Sequence, residues 1–187
     1  ISKPFNGVEL KARVKTHLHT LSNINEIKEK QSKLAQLSIT DPLTKLYNSL
    51  YLDAQLKSYT LREESFWFVY IKIDRFEKLN QIYGFHGANK IIKKFGKTIK
   101  ETAISNAVVA RLYGVGFGVL MNDYEIQVLK EFYDKLYAKH KKDKELSGVF
   151  SFSTVLYNIK EPSTSITTIY KRLQTSMHKI ENEDDRY

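Results

Sequence analysis

The sequence predicts an α/β chain of the α+β kind: a mostly antiparallel central sheet flanked by helices, with a long helix ahead of it. Three observations predict it. Ser65 to Asp74 is rich in aromatic and β-branched residues and ends in polar groups, the pattern of a well-buried strand. Ala107–Leu112 and Phe117–Met121 are apolar runs joined by a short glycine-bearing link, the pattern of a β-hairpin. Between and after these strands, apolar residues recur every three or four positions, so amphipathic helices alternate with strands and can cover the sheet.

Composition narrows the function classes. The chain has 187 residues, 42% hydrophobic and 27% charged, enough for one domain with a real core plus an extension. It has no cysteine, which excludes disulfides, cysteine–zinc sites and thiol nucleophiles and fits a cytoplasmic setting. No apolar run approaches the ~20 residues that cross a bilayer, so no membrane partner is expected. No signal peptide is visible, and the start at Ile1-Ser2-Lys3 reads as a cut from a longer protein. Thirty basic and 21 acidic groups give a net charge of +9, which favours anionic partners.

In chain order, Lys3-Pro4-Phe5 leads into a helical pattern carrying Leu10, Val14 and Leu18. The pattern continues through Leu21, Ile24, Ile27, Leu34 and Leu37, with no Gly or Pro between Val8 and Thr40. A helix of ~30 residues would be ~45 Å long. Its apolar stripe is narrow and flanked by Glu26, Lys28, Glu29, Lys30 and Lys33. Such a helix gains by pairing. We read it as a signalling helix forming a homodimer contact; packing on its own domain fits equally. Lys28 and Gln31 break the heptad seam, so any coiled coil is weak.

Asp41-Pro42 signals a turn or helix start, followed by a helix through Tyr51, Leu52, Leu56 and Tyr59. After the strand at 65–74, Arg75 to Gly84 reads as a short helix closed by glycine. A longer helix runs from Gly87 to about Ala103, with Ile91, Ile92, Phe95 and Ile99 inward and Lys90, Lys93, Lys94, Lys97 and Lys100 largely outward. Beyond the hairpin come a helix over 123–141, a strand over 149–159 and a helix over 166–180 opened by Pro162-Ser163-Thr164-Ser165. The tail from Glu181 is acidic.

Two segments carry a family resemblance. Arg111, Gly114 and Phe117 resemble the signature hairpin of the GGDEF (diguanylate cyclase) family, with Val115 and Gly116 where its two acidic residues stand. Asp41-Pro42-Leu43-Thr44-Lys45-Leu46-Tyr47-Asn48 resembles the motif that opens that domain, departing at Lys45, usually glycine, and at Ser49, usually arginine. The resemblance covers about 41–187 and implies a palm-like sheet. Lys3-Pro4-Phe5 and the helix after it resemble the end of a response-regulator receiver domain. The organisation expected is therefore a receiver end and signalling helix over 1–40 and a GGDEF-like domain over 41–187.

The family reaction condenses two GTP molecules into cyclic di-GMP, with Mg²⁺ held by carboxylates. The resemblance places one such carboxylate position on Lys72 and another on Val115, with Gly116 beside it. Asp74 falls on its own family position and is not a ligand there. Asn80 matches a guanine-contacting asparagine, Asn89 replaces a guanine-contacting aspartate, and Phe85 replaces a histidine. Phosphate-clamping cations align with Glu181 and Asp185, and a product-inhibition motif would fall on Ile104 to Ala107, where it is absent.

No cyclase activity, no catalytic residue and no Mg²⁺ site are thus expected. The principal reading is a non-catalytic output domain of a two-component response regulator, acting by dimerisation or through a protein partner. The alternatives are a sensor that binds guanine nucleotide weakly through Lys72, Asn80 and Asn89, or a cyclase with rearranged metal ligands. Nucleic acid is not expected as a partner: lysine-covered helices are ordinarily solvated, and no base-reading motif accompanies Lys90, Lys93, Lys94 and Lys97.

Overall fold

A computed structural model describes residues 7–62, 65–122, 125–160 and 164–184. The chain divides into two units, 1–38 and 39–187. The first is the body of helix α1 (Gly7–Ile39), whose Leu10, Val14, Leu18, Leu21, Ile24, Ile27 and Leu34 are all exposed. The Lys3-Pro4-Phe5 segment lies outside the described residues.

The second unit runs α2 (Ser49–Leu61), β1 (Phe66–Ile73), α3 (Phe76–Thr102), β2 (Val108–Arg111), β3 (Gly116–Asn122), α4 (Ile126–Lys142), β4 (Phe152–Ile159) and α5 (Ile166–Asp184). The four strands lie in the order β2-β3-β1-β4, every pair antiparallel. This is the palm-like arrangement the sequence predicts, with helices on both faces.

The two faces follow from strand alternation. Val69, Ile71 and Ile73 of β1 and Phe117, Val119 and Met121 of β3 join Phe95 and Ile99 of α3 and Leu129 and Leu136 of α4. Phe66, Phe68 and Leu120 face the other way, onto Leu52 and Leu56 of α2 and Ile169 and Leu173 of α5. The edge at β2 is partly capped by the segment before α2. Arg111 N–H donates to the Tyr47 carbonyl (2.8 Å), and Tyr47 N–H donates to the Val109 carbonyl (3.2 Å).

The two helical patterns at 75–84 and 87–103 form one element with a break in it. Gly84 sits at φ 64°, ψ 174°, outside helical geometry and in a region that glycine enters without a Cβ clash. Helices α2 and α5 start on side-chain caps: Asn48 Oδ1 accepts from Tyr51 N–H (2.9 Å), and Ser165 Oγ accepts from Thr168 N–H (3.2 Å).

Candidate functional site

The site is framed by a turn and a hairpin that are far apart in sequence. Asp41 Oδ1 accepts from both the Thr44 N–H and the Thr44 hydroxyl, each at 2.7 Å. Arg111 then reaches across, its Nη1 3.3 Å from both Asp41 oxygens and its Nη2 donating to the Gly114 carbonyl at 3.1 Å. Burial alone would raise the Asp41 carboxyl. The Thr44 bonds and the Arg111 charge outweigh it and hold the group below the ordinary aspartate value. Gly114, at φ 68°, makes the left-handed turn that brings Leu112 N–H to the Gly116 carbonyl (2.9 Å) and closes the hairpin.

This frame opens onto a cleft of about 590 Å³ between the end of β1, the first part of α3 and the hairpin. The structure brings Lys72, Asn80, Asn89, Arg111, Gly114 and Val115 together along its wall. Lys72 is half-buried at the end of β1, opposite Gly116 on β3 and Ser153 on β4. Asn80 is exposed and Asn89 half-buried, on either side of the break at Gly84. Phe85, 71% exposed, stands at the lip.

The lining charges are unequal. Lys72, Arg75, Lys78 and Arg111 face one carboxylate, Glu77, and Arg111 is already engaged by Asp41. Asp74 does not join them: its Oδ2 accepts from the Ser151 hydroxyl (2.7 Å), and its buried Oδ1 has no hydrogen-bond partner among the described residues. Such a cleft suits an anion held by point charges next to amide groups that can read a polar ring.

Two of the signature residues lie elsewhere. Phe117 is fully buried, its ring edge-on to Phe95 at 5.7 Å. Gly116 lies beneath Tyr70, so that a Cβ there would meet the ring Cε2 at 2.9 Å and the hydroxyl at 3.0 Å. A side chain at 116 would therefore require the outer end of the Tyr70 ring to move. The side chain of Glu181, and all of Asp185, lie outside the described residues.

Sequence reasoning missed Tyr70, Arg75 and Lys78. Tyr70 had a readable signal. Gly116 and Gly118 alternate on one face of β3, and Phe66, Phe68 and Tyr70 alternate on the neighbouring strand, so large rings fill what small residues leave. Arg75 gave none: it lies two residues past the end of β1, in the left-handed region at φ 47°.

Known proteins resemble this chain in sequence and in fold. The response regulator PleD of Caulobacter vibrioides is 28% identical over 127 residues, which is 66% of this chain but 28% of that protein. The chain therefore spans little more than a quarter of that relative's length. The coiled coil and GGDEF domain of DgcB from Caulobacter crescentus, solved in complex with c-di-GMP, matches with a TM-score of 0.77 at 17% identity, over 90% of this chain and 92% of that one. The diguanylate cyclase SiaD from Pseudomonas aeruginosa, solved with its activator SiaC, matches with a TM-score of 0.71 at 15% identity, over 94% and 74%. Among the described residues no helix is long and apolar enough to cross a membrane. Residues 38–186 match the family described as diguanylate cyclase, GGDEF domain, and with four-fifths of its length in that match the chain belongs to the GGDEF family.

Proposed function

We propose that this chain is a non-catalytic GGDEF output module of a two-component response regulator, working by self-association or partner binding. The observation that carries the reading is the character of the cleft at the family's metal positions. Lys72 puts an ammonium where a carboxylate is expected, and Val115 offers no donor. Magnesium takes hard oxygen donors in near-octahedral order. A lysine and a valine do not fit it.

The exposed apolar stripe of α1 supports self-association, since a helix of this length gains stability by pairing along such a stripe. The receiver-like Lys3-Pro4-Phe5 supports the assignment of 1–40 to a receiver end and signalling helix, and the likeness to a response regulator supports the output-module reading. Turnover tests the reading: purified protein with GTP and Mg²⁺ should form no cyclic di-GMP, and sustained product formation would end it. Lys72→Asp combined with Val115→Asp, which returns carboxylates to both positions, tests whether the scaffold still holds GTP competently.

A second reading rests on the convergence of Lys72, Asn80 and Asn89 in one cleft with Arg75 and Lys78. That set supports metal-free, weak capture of a guanine nucleotide, cations on phosphate and amides on base. Calorimetry without Mg²⁺ tests it. Heat from GTP or cyclic di-GMP that is lost in Lys72→Ala supports a sensor, and no heat at millimolar ligand rejects it.

A further inference from the structure

The lysines of α3 do more than face solvent. A groove of about 490 Å³ is lined by Thr44, Lys45 and Leu46 of the turn before α2 together with Lys90, Lys93, Lys94, Lys97 and Lys100. It shares no lining residue with the cleft, so its binding chemistry does not depend on whether the cleft holds a nucleotide. On the helix, Lys90, Lys93, Lys97 and Lys100 are three, four and three residues apart, one stripe ~15 Å long.

Three features give the groove a chemistry. The first is the division of labour along the helix: Lys94 is committed within the chain, its Nζ 2.6 Å from Asp143 Oδ1 and 2.6 Å from Glu145 Oε2, and is not one of the four lysines of the stripe. The second is surplus charge. Lys97 has one loose contact with Glu101 at 3.7 Å, while Lys45, Lys90 and Lys93 have no ion pair among the described residues. The third is Lys45 itself, held at φ 61° in the left-handed region, where a side chain is disfavoured. A strained position that adds a cation to a cationic groove points to use of that cation.

We propose that this groove is the docking site for an acidic segment of a partner protein, with carboxylates spaced three and four residues apart as on one face of a helix. The complementarity is between a stripe of point charges at helical spacing and carboxylates at the same spacing. Nucleic acid fits less well. The lining contains no arginine, asparagine or glutamine to read base edges and no aromatic ring on which a base would stack.

The test is fluorescence anisotropy with a labelled poly-glutamate peptide, alongside labelled single-stranded and duplex DNA of matched charge, at low and physiological salt. The peptide should bind, more weakly as salt rises. Lys90→Glu with Lys93→Glu and Lys97→Glu should weaken it by roughly tenfold or more, while the same reversal at exposed Lys57, Lys130 and Lys171 should change it less than about twofold. Lys45→Gly guards against misfolding. It relieves the left-handed strain, so it should melt no lower than the parent yet bind about twofold more weakly. Equal loss in groove and control variants, DNA binding tighter than peptide binding at the same salt, or no peptide binding at low salt would each overturn the proposal.

Discussion

The two sides of the signature hairpin are built from different materials. On the Arg111 side, charge and hydrogen bonds tie the strand to a turn seventy residues away, through Asp41, and to the hairpin's own Gly114 carbonyl. On the Val115–Gly116 side, valine packs against the core and a tyrosine ring covers the glycine. The first side holds the hairpin in position whatever the cleft does. The second is where the family reaction would need acidic groups. The contrast teaches that the position of the hairpin and the character of the cleft it borders are set by separate groups of residues.

The largest expected effect comes from the residue both sides share. Phe117 is fully buried against Phe95, and Phe117→Ala should cost about 3–5 kcal/mol in denaturant unfolding, through lost burial and the cavity left behind. A cost near that of a surface change would mean the hairpin is held by its polar frame alone.

Next comes the frame. Asp41→Asn leaves part-buried Arg111 without its counter-charge and weakens the Thr44 bonds, for an expected loss of about 1–3 kcal/mol. The same pair sets an acid limit. A carboxyl whose folded pKa lies below its unfolded value stabilises the fold fully above the unfolded value, about 4, and that contribution disappears as pH falls through the folded value. The parent should therefore lose stability more steeply than Asp41→Asn in acid melts below about pH 4, and parallel curves would assign the Asp41 contacts no role.

The filled side gives a prediction of coupling. Gly116→Glu should destabilise by about 1–3 kcal/mol because Tyr70 occupies the space. Paired with Tyr70→Ala, which opens that space, it should cost less than the sum of the two single changes. Additive costs would show that the tyrosine is not what excludes a side chain there. The smallest effect is at Lys72. Half-buried at a strand end, Lys72→Ala should cost no more than about 1 kcal/mol, the scale of one partly exposed polar contact, so that a larger change in ligand binding can be read as a change at the cleft.

Most of this architecture was legible in the residues. The element order, the strands at Ser65–Asp74 and around Gly114, and the inward face of α3 follow from periodicity, because each element buries one face and exposes the other. The convergence of Lys72, Asn80 and Asn89 with the hairpin came from matching positions to a family; their separations in sequence imply no common cleft. The remainder required three dimensions. Asp41 and Arg111 meet only because Tyr47 lies along β2, a pairing no local pattern encodes. Lys45 read as a departure from glycine in a turn, and only the fold shows it lining the same groove as Lys90 and Lys93. Gly116 read as a lost acid, whereas its neighbour Tyr70 makes it a packed position.

The proposed function stands or falls on whether the apolar side of the hairpin has replaced a metal site. The deciding measurement is the GTP affinity of the whole chain with and without saturating Mg²⁺. If the site has been replaced, Mg²⁺ adds nothing to whatever affinity the cations of the cleft provide. Tightening by tenfold or more on addition of Mg²⁺, about 1.4 kcal/mol of metal-dependent binding, would contradict it.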